Sequence, residues 1–199
     1  MHDWLADIRL VAVTARAHMV EPALLATQDW PAIAAAFGAA IARVAGDAVL
    51  VQVREKDLDG GPLLALVRAA LATGARVMVN DRLDVALAAG AHGVHLPERG
   101  LAIADVRALA PALVVGVSCH SASAAAASTA DLVQLGPIWD TPGKPSPLGP
   151  AALTEARRAM PGGRLVAIGG IDPARAAIAR DHGADAVAAI RAVWSGAMR

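Results

Sequence analysis

With 199 residues, 56% of them hydrophobic and 18% charged, the chain has enough apolar surface for one domain with a sizeable core, which excludes disorder over most of its length. Its 18 basic and 18 acidic residues cancel to a formal net charge of +0 and form no basic run, so the electrostatic footprint of a nucleic-acid binder is absent. The single cysteine, Cys119, excludes an intramolecular disulfide and a zinc site made of cysteines, a usage that fits a reducing compartment.

No stretch reaches the ~18 uninterrupted apolar residues of a membrane span. Residues 1–7 include Asp3 and Asp7 and no long apolar core, so they do not read as a secretory signal. The expectation is one cytoplasmic domain over 1–199, with no membrane or nucleic-acid partner and with homo-oligomerisation left open.

In chain order, short β-branched runs alternate with longer Ala- and Leu-rich stretches. Strands are predicted over 8–13, 48–53, 77–79, 93–96, 113–117, 132–135, 165–168 and 186–190. Helical spacing occupies 31–45, 62–72, 83–89, 103–109, 122–128, 151–159 and 173–181. This order gives βαβ units and a parallel sheet. Runs such as Val49-Leu50-Val51 fit strands buried on both faces. Eight units in one short chain, without a glycine-rich first turn, favour a single closed (β/α)8 TIM barrel over an open doubly wound sheet. The recurring Thr73-Gly74-Ala75, Ala89-Gly90-Ala91 and His182-Gly183-Ala184 read as left-handed helix ends, a structural repeat.

In such a barrel, polar residues at the C-terminal strand ends face the site. Strand two ends in Gln52-Val53-Arg54-Glu55-Lys56, and its period of two puts Gln52, Arg54 and Lys56 on one face, a set suited to a polyoxygen anion such as diphosphate. The competing reading is surface pairing of Arg54 with Glu55 or Lys56 with Asp57. Strand three ends in Asn80-Asp81-Arg82. There Asp81 suits Mg²⁺ bridging phosphate oxygens, while Asn80 or Asp81 also suits a helix cap. Strand five supplies Ser118, with His120 as a loop residue and Ser121 as a cap. His95 lies within strand four, where a satisfied core histidine is the commoner case.

The stretch 136–150 is too long for a simple connection and reads as a functional loop. It holds Trp139, suited to stacking on an aromatic ligand, and Lys144, the only lysine besides Lys56. Strand seven ends in Gly169-Gly170, whose backbone N–H groups suit a phosphate. Strand eight ends in Ile190-Arg191, where barrels of this kind often hold one.

Six fragments stand in a family's order and spacing. They are Gln52-Val53-Arg54-Glu55-Lys56, Asn80-Asp81-Arg82, Gly93-Val94-His95-Leu96, Gly116-Val117-Ser118, the Gly136-Pro137-Ile138…Thr141-Pro142-Gly143-Lys144-Pro145 loop and Ala167-Ile168-Gly169-Gly170-Ile171. Together they resemble the thiamine phosphate synthase and thiazole tautomerase superfamily, and the match runs from strand two to strand eight. The resemblance implies an enzyme, a transferase joining hydroxymethylpyrimidine diphosphate to thiazole phosphate with release of diphosphate. By that resemblance, Gln52, Arg54, Lys56, Asn80 and Ser118 bind the pyrimidine diphosphate, and Lys144, with Thr141 in the same loop, meets the leaving diphosphate. Lys56 and Lys144 act in catalysis, and Asp81 takes the Mg²⁺ cofactor. Gly169, Gly170, Ile190 and Arg191 hold the thiazole phosphate.

The chain also departs from the family's pattern. Gly100 falls where a second metal-binding aspartate is usual, the Thr-x-Thr before the loop lysine is reduced to Thr141-Pro142-Gly143, and Arg191 replaces a serine. His95-Leu96-Pro97 followed by Gly100-Leu101 looks more like the tautomerase branch, yet Pro137 stands where that branch carries its catalytic histidine. Three readings follow: a synthase, in front on its retained diphosphate-binding residues; a metal-free tautomerase; and a non-catalytic binder of a thiamine-related phosphate.

Overall fold

A computed structural model describes residues 3–160 and 162–198. Met1, His2, Pro161 and Arg199, which the one-domain and leader expectations include, lie outside the described residues. The strands are β1 (Leu10–Val13), β2 (Val49–Val53), β3 (Arg76–Asn80), β4 (Gly93–Leu96), β5 (Val114–Cys119), β6 (Leu132–Leu135), β7 (Arg164–Ile168) and β8 (Ala186–Ala189). They pair in parallel in sequence order, and β8 closes on β1 through Leu10 opposite Val187 and Ala12 opposite Ala189. The closed barrel is the architecture expected from eight alternating units.

The helices are α1 (Pro22–Thr27), α2 (Trp30–Ala42), α3 (Gly60–Leu71), α4 (Leu83–Ala89), α5 (Ile103–Leu109), α6 (Ala122–Ala126), α7 (Ala151–Ala159), α8 (Pro173–Asp181) and α9 (Arg191–Trp194). Sequence pattern misses α1 and α9, which are short and carry little periodicity. It also runs α2 three residues too far, to 45 instead of Ala42. Side-chain caps set several starts: Asp29 accepts from Ala32 N at 3.2 Å, Ser121 from Ala124 N at 3.1 Å and Asp172 from Arg175 N at 2.8 Å. Gly90 ends α4 at φ 70°, the left-handed cap expected of the Ala-Gly-Ala joint.

Alternation along each strand divides the core into two layers. Val51, Val53, Val77 and Val79 point outwards under α2 and α3, packed with Phe37, Ile41, Leu63 and Leu66. A matching outer layer on the far side joins Val133, Leu135, Leu165 and Ala167 to Leu153 of α7 and Ala176 of α8. Each fully buried large side chain contributes about 1.5–3 kcal/mol. Inside the barrel, Val11, Leu50, Met78, Val114, Leu132 and Val166 fill the middle, and Leu5 and Ile8 plug the N-terminal end.

Further along the inward faces of five strands the interior becomes polar: Gln52 on β2, Asn80 on β3, His95 on β4, Ser118 on β5 and Gln134 on β6, while Val13 of β1 and Ile168 of β7 stay apolar. On β8 the inward residues are Ala186 and Ala188, too small to fill this level. The mouth is therefore polar on one side and open on the other. This change of polarity along the barrel axis positions the site.

Candidate active site

A cavity of about 320 Å³ opens at the C-terminal ends of the strands. Gln52, Arg54, Lys56, Asn80 and Ser118 line it from β2, β3 and β5. Thr141 and Lys144 reach it from the loop after β6, and Gly169, Gly170, Ile190 and Arg191 complete it from β7 and β8. The sequence-predicted substrate residues thus meet in one place.

The competing surface pairs do not form. Glu55 turns away from the cavity and is buried, accepting from Thr14 Oγ1 at 2.7 Å, Arg16 N at 3.0 Å and Arg16 Nη1 at 3.0 Å. Arg16 also holds Asp57 through both carboxylate oxygens, and these hydrogen bonds pull the Asp57 carboxyl down to about 2. The Thr14 hydroxyl oxygen accepts from Arg54 N at 3.0 Å, fixing the chain that carries Arg54 and Lys56. With both neighbouring carboxylates committed to Arg16, Arg54 and Lys56 have no carboxylate partner among the described residues, and neither do Lys144 and Arg191. Four unneutralised cations converge on one cavity, an arrangement that favours a multiply charged anion.

On the opposite wall the backbone supplies the polarity. Gly169 and Gly170 have φ of 100° and 64°, which only glycine adopts without strain. A Cβ on Gly169 would lie 2.6 Å from Pro137 Cα, and one on Gly170 2.9 Å from Asp140 O. Among the described residues, the N–H groups of Gly169, Gly170, Arg191 and Ala192 donate to no backbone carbonyl. They face the cavity between β7 and β8, where barrels of this kind bind phosphate.

Beneath the cations lie Gln134, which sequence pattern alone does not single out, and His95, expected there as a core histidine. Gln134 Nε2 donates to Gln52 Oε1 at 2.5 Å, and Gln52 Nε2 to Asn80 Oδ1 at 3.2 Å. A glutamine in the otherwise apolar Leu132-Val133-Gln134-Leu135, two residues before the loop, is the signal that would have revealed it. His95 Nε2 lies 2.9 Å from Ser118 Oγ. Burial, reinforced by the positive charge of Arg54, pushes the His95 imidazole down to about 3, so the ring is neutral. Gly116 makes room for it, since a Cβ there would fall 2.6 Å from His95 Nδ1. Cys119 also lines the cavity, but burial and the charge of Glu98 push its thiol up to about 11, which leaves it protonated and unreactive.

Several expectations change. Asp81 is exposed and, unlike Asn80, is not in the cavity wall: it stands at the rim, its φ of 66° turning the chain out of β3. Neither Asn80 nor Asp81 caps α4, whose cap residue is Arg82 with no side-chain hydrogen bond. Trp139 does not line the cavity: the Arg175 guanidinium sits 5.7 Å over its ring. Glu98 is engaged at the lip by His120, through His120 N at 3.3 Å and Nδ1 at 3.0 Å. At Gly100 a Cβ would lie 2.8 Å from Pro97 Cδ, so an aspartate there needs Pro97 to move.

Magnesium requires oxygen ligands, often one or two carboxylates with substrate phosphates and water. Among the described residues no three His, Cys, Asp or Glu side chains gather into a cage. The Asp81 carboxylate, beside Asn80 at the cavity rim, has no hydrogen-bond or ion-pair partner among those residues and fits a one-carboxylate site. No helix among the described residues is long and apolar enough to cross a membrane.

Comparison with known proteins points to one family. The family described as thiamine monophosphate synthase matches residues 26–193. A thiamine-phosphate synthase of Anaeromyxobacter dehalogenans is 44% identical over 166 residues, 78% of this chain and 74% of that protein. One of Methanoculleus marisnigri is 44% identical over 163 residues, 75% of each chain. The solved thiamine phosphate pyrophosphorylase of Pyrococcus furiosus superposes with a TM-score of 0.75 at 26% identity, covering 95% of this chain and 88% of that one.

Proposed function

Since the chain belongs to the thiamine monophosphate synthase family, we propose that it condenses hydroxymethylpyrimidine diphosphate with thiazole phosphate to give thiamine phosphate and diphosphate. The observation that carries this reading is the convergence of Arg54, Lys56 and Lys144, none with a carboxylate partner among the described residues, opposite a second anion pocket of free backbone N–H groups. Two separate anion sites on one cavity match two phosphorylated substrates.

In the reaction, the bond between the pyrimidine methylene carbon and the diphosphate oxygen breaks, and its electron pair leaves with the diphosphate. The thiazole nitrogen then donates its pair to that carbon. Arg54, Lys56 and Lys144 offset the charge that grows on the departing oxygen, in a site where preorganised donors are each worth about 2.7–4 kcal/mol. Neutral His95, with its hydrogen on Nε2, donates to Ser118 Oγ and leaves Nδ1 as an unpaired acceptor, not an unpaired donor. The Ser118 hydroxyl hydrogen is then free to donate into the cavity. Gly169, Gly170 and Arg191 hold the thiazole phosphate. Asp81 would hold Mg²⁺ from the rim, where the ion would neutralise part of the diphosphate charge.

The tautomerase reading needs a proton carrier where Pro137 lines the cavity, and proline has none to give. Incubating the protein with Mg²⁺ and both precursors should yield thiamine phosphate and diphosphate in equal amounts. EDTA should stop the reaction, and Asp81→Ala should slow it ~100-fold or more. No thiamine phosphate, or full activity in EDTA, would remove the synthase mechanism.

A further inference from the structure

The cavity floor contains a directed chain of three side-chain amides that cross the barrel from β6 to β2 to β3. Gln134 Nε2 donates to Gln52 Oε1 at 2.5 Å, and Gln52 Nε2 donates to Asn80 Oδ1 at 3.2 Å. Gln134 and Gln52 are each 2% exposed, so water does not substitute freely for these bonds. An amide has one acceptor oxygen and one NH₂ donor, so such a chain has two unlike ends. At the β6 end, Gln134 Oε1 accepts from no described residue, and the second Gln134 Nε2 hydrogen donates to none. At the β2 and β3 end, the second Gln52 Nε2 hydrogen and the Asn80 NH₂ donate to none. All three residues line the cavity, below the cations.

The floor therefore presents an unpaired acceptor and several unpaired donors to the cavity. A ligand that fills the cavity takes these atoms out of water, and a polar atom then left unpaired is costly, so the floor selects a ligand that completes both ends. An aminopyrimidine does so, because its amino group is a donor and its adjacent ring nitrogen an acceptor. We propose that Gln134 is a specificity-determining residue of this site. Its Oε1 accepts from the pyrimidine amino group, and its Nε2 holds Gln52 Oε1, so that Gln52 and Asn80 turn amide hydrogens towards the ring nitrogen. This inference rests on the synthase reading and adds to it how the ring is recognised.

The carbonyl oxygen of an oxo-pyrimidine in place of the amino group would face Gln134 Oε1, acceptor against acceptor. The test measures dissociation constants of the amino- and oxo-pyrimidine diphosphates by calorimetry without thiazole phosphate, and kcat/KM for both with it. Wild type should prefer the amino ligand by on the order of 10- to 100-fold. Gln134→Leu and the more flexible Gln134→Met should bring that ratio close to one, whereas Gln134→Glu, which keeps an acceptor, should retain the amino preference with weaker overall binding.

A purely structural role for Gln134 would weaken both ligands equally and leave the ratio intact. Thermal unfolding identifies any variant that does not fold, and the remaining variants then decide. An undiminished ratio in either apolar variant, or a wild-type preference for the oxo ligand, overturns the inference while the synthase reading stands. If wild type binds neither diphosphate and forms no product, the synthase reading itself fails.

Discussion

The two walls of the cavity recognise anions by different means. The β2–β5 wall uses side chains: Arg54 and Lys56 above Gln52, Asn80 and Ser118, with the Thr14–Glu55–Arg16–Asp57 network holding their backbone in place. The β7–β8 wall uses main chain: glycine conformations at 169 and 170 and the N–H groups that begin α9, with Arg191 as an exposed charge. A side-chain wall concentrates charge and suits a leaving group whose charge grows during the reaction. A main-chain wall spreads partial positive charge over several N–H groups, here with Arg191 beside them, and suits a phosphate whose charge stays constant while it anchors its substrate. The same cavity thus separates stabilisation of change from simple holding.

If that division holds, the walls should fail differently. The largest effect is expected from Lys56→Ala, which should lower kcat by on the order of 10²–10³-fold with little change in thiazole phosphate affinity. Steady-state kinetics with each substrate varied in turn would check this, and an equal loss in both substrates' affinities would erase the distinction.

On the other wall, Gly170→Ala forces a side chain into φ 64° and against Asp140 O. The left-handed conformation alone costs about 1–2 kcal/mol. Thiazole phosphate binding should weaken ~10-fold or more in titration, with pyrimidine diphosphate binding nearly unchanged. Arg191→Ala should act in the same direction, by about 1.5 kcal/mol.

The last effect concerns the support under Ser118 and appears in stability, not turnover. The His95 pKa falls from 6.5 to about 3 on folding, so the unfolded chain binds the extra proton first as pH drops. Its contribution is fully present above pH 6.5 and is lost as pH falls towards 3, at up to ~1.4 kcal/mol per pH unit. Denaturant unfolding across that window should show a shallower acid slope in His95→Asn than in wild type. Identical slopes would mean that another group titrates there.

The amino-acid sequence by itself determined the eight β/α units, the strand ends that carry Arg54, Lys56, Asn80, Ser118 and Arg191, and the glycine joints, because strand period, helix spacing and turn chemistry act between near neighbours. Tertiary structure alone decided which charges remained unpaired. Glu55 and Asp57 sit beside Arg54 and Lys56 in the chain, yet both bind Arg16 from the end of β1, 39 and 41 residues away. It also decided that Asp81 stands at the rim, that Trp139 packs under Arg175, and that Gln134 reaches Gln52 across 82 residues. The physical reason is that a residue's period tells which way it points, whereas its partner depends on barrel closure, which brings distant strand ends to one level and sets donor against acceptor.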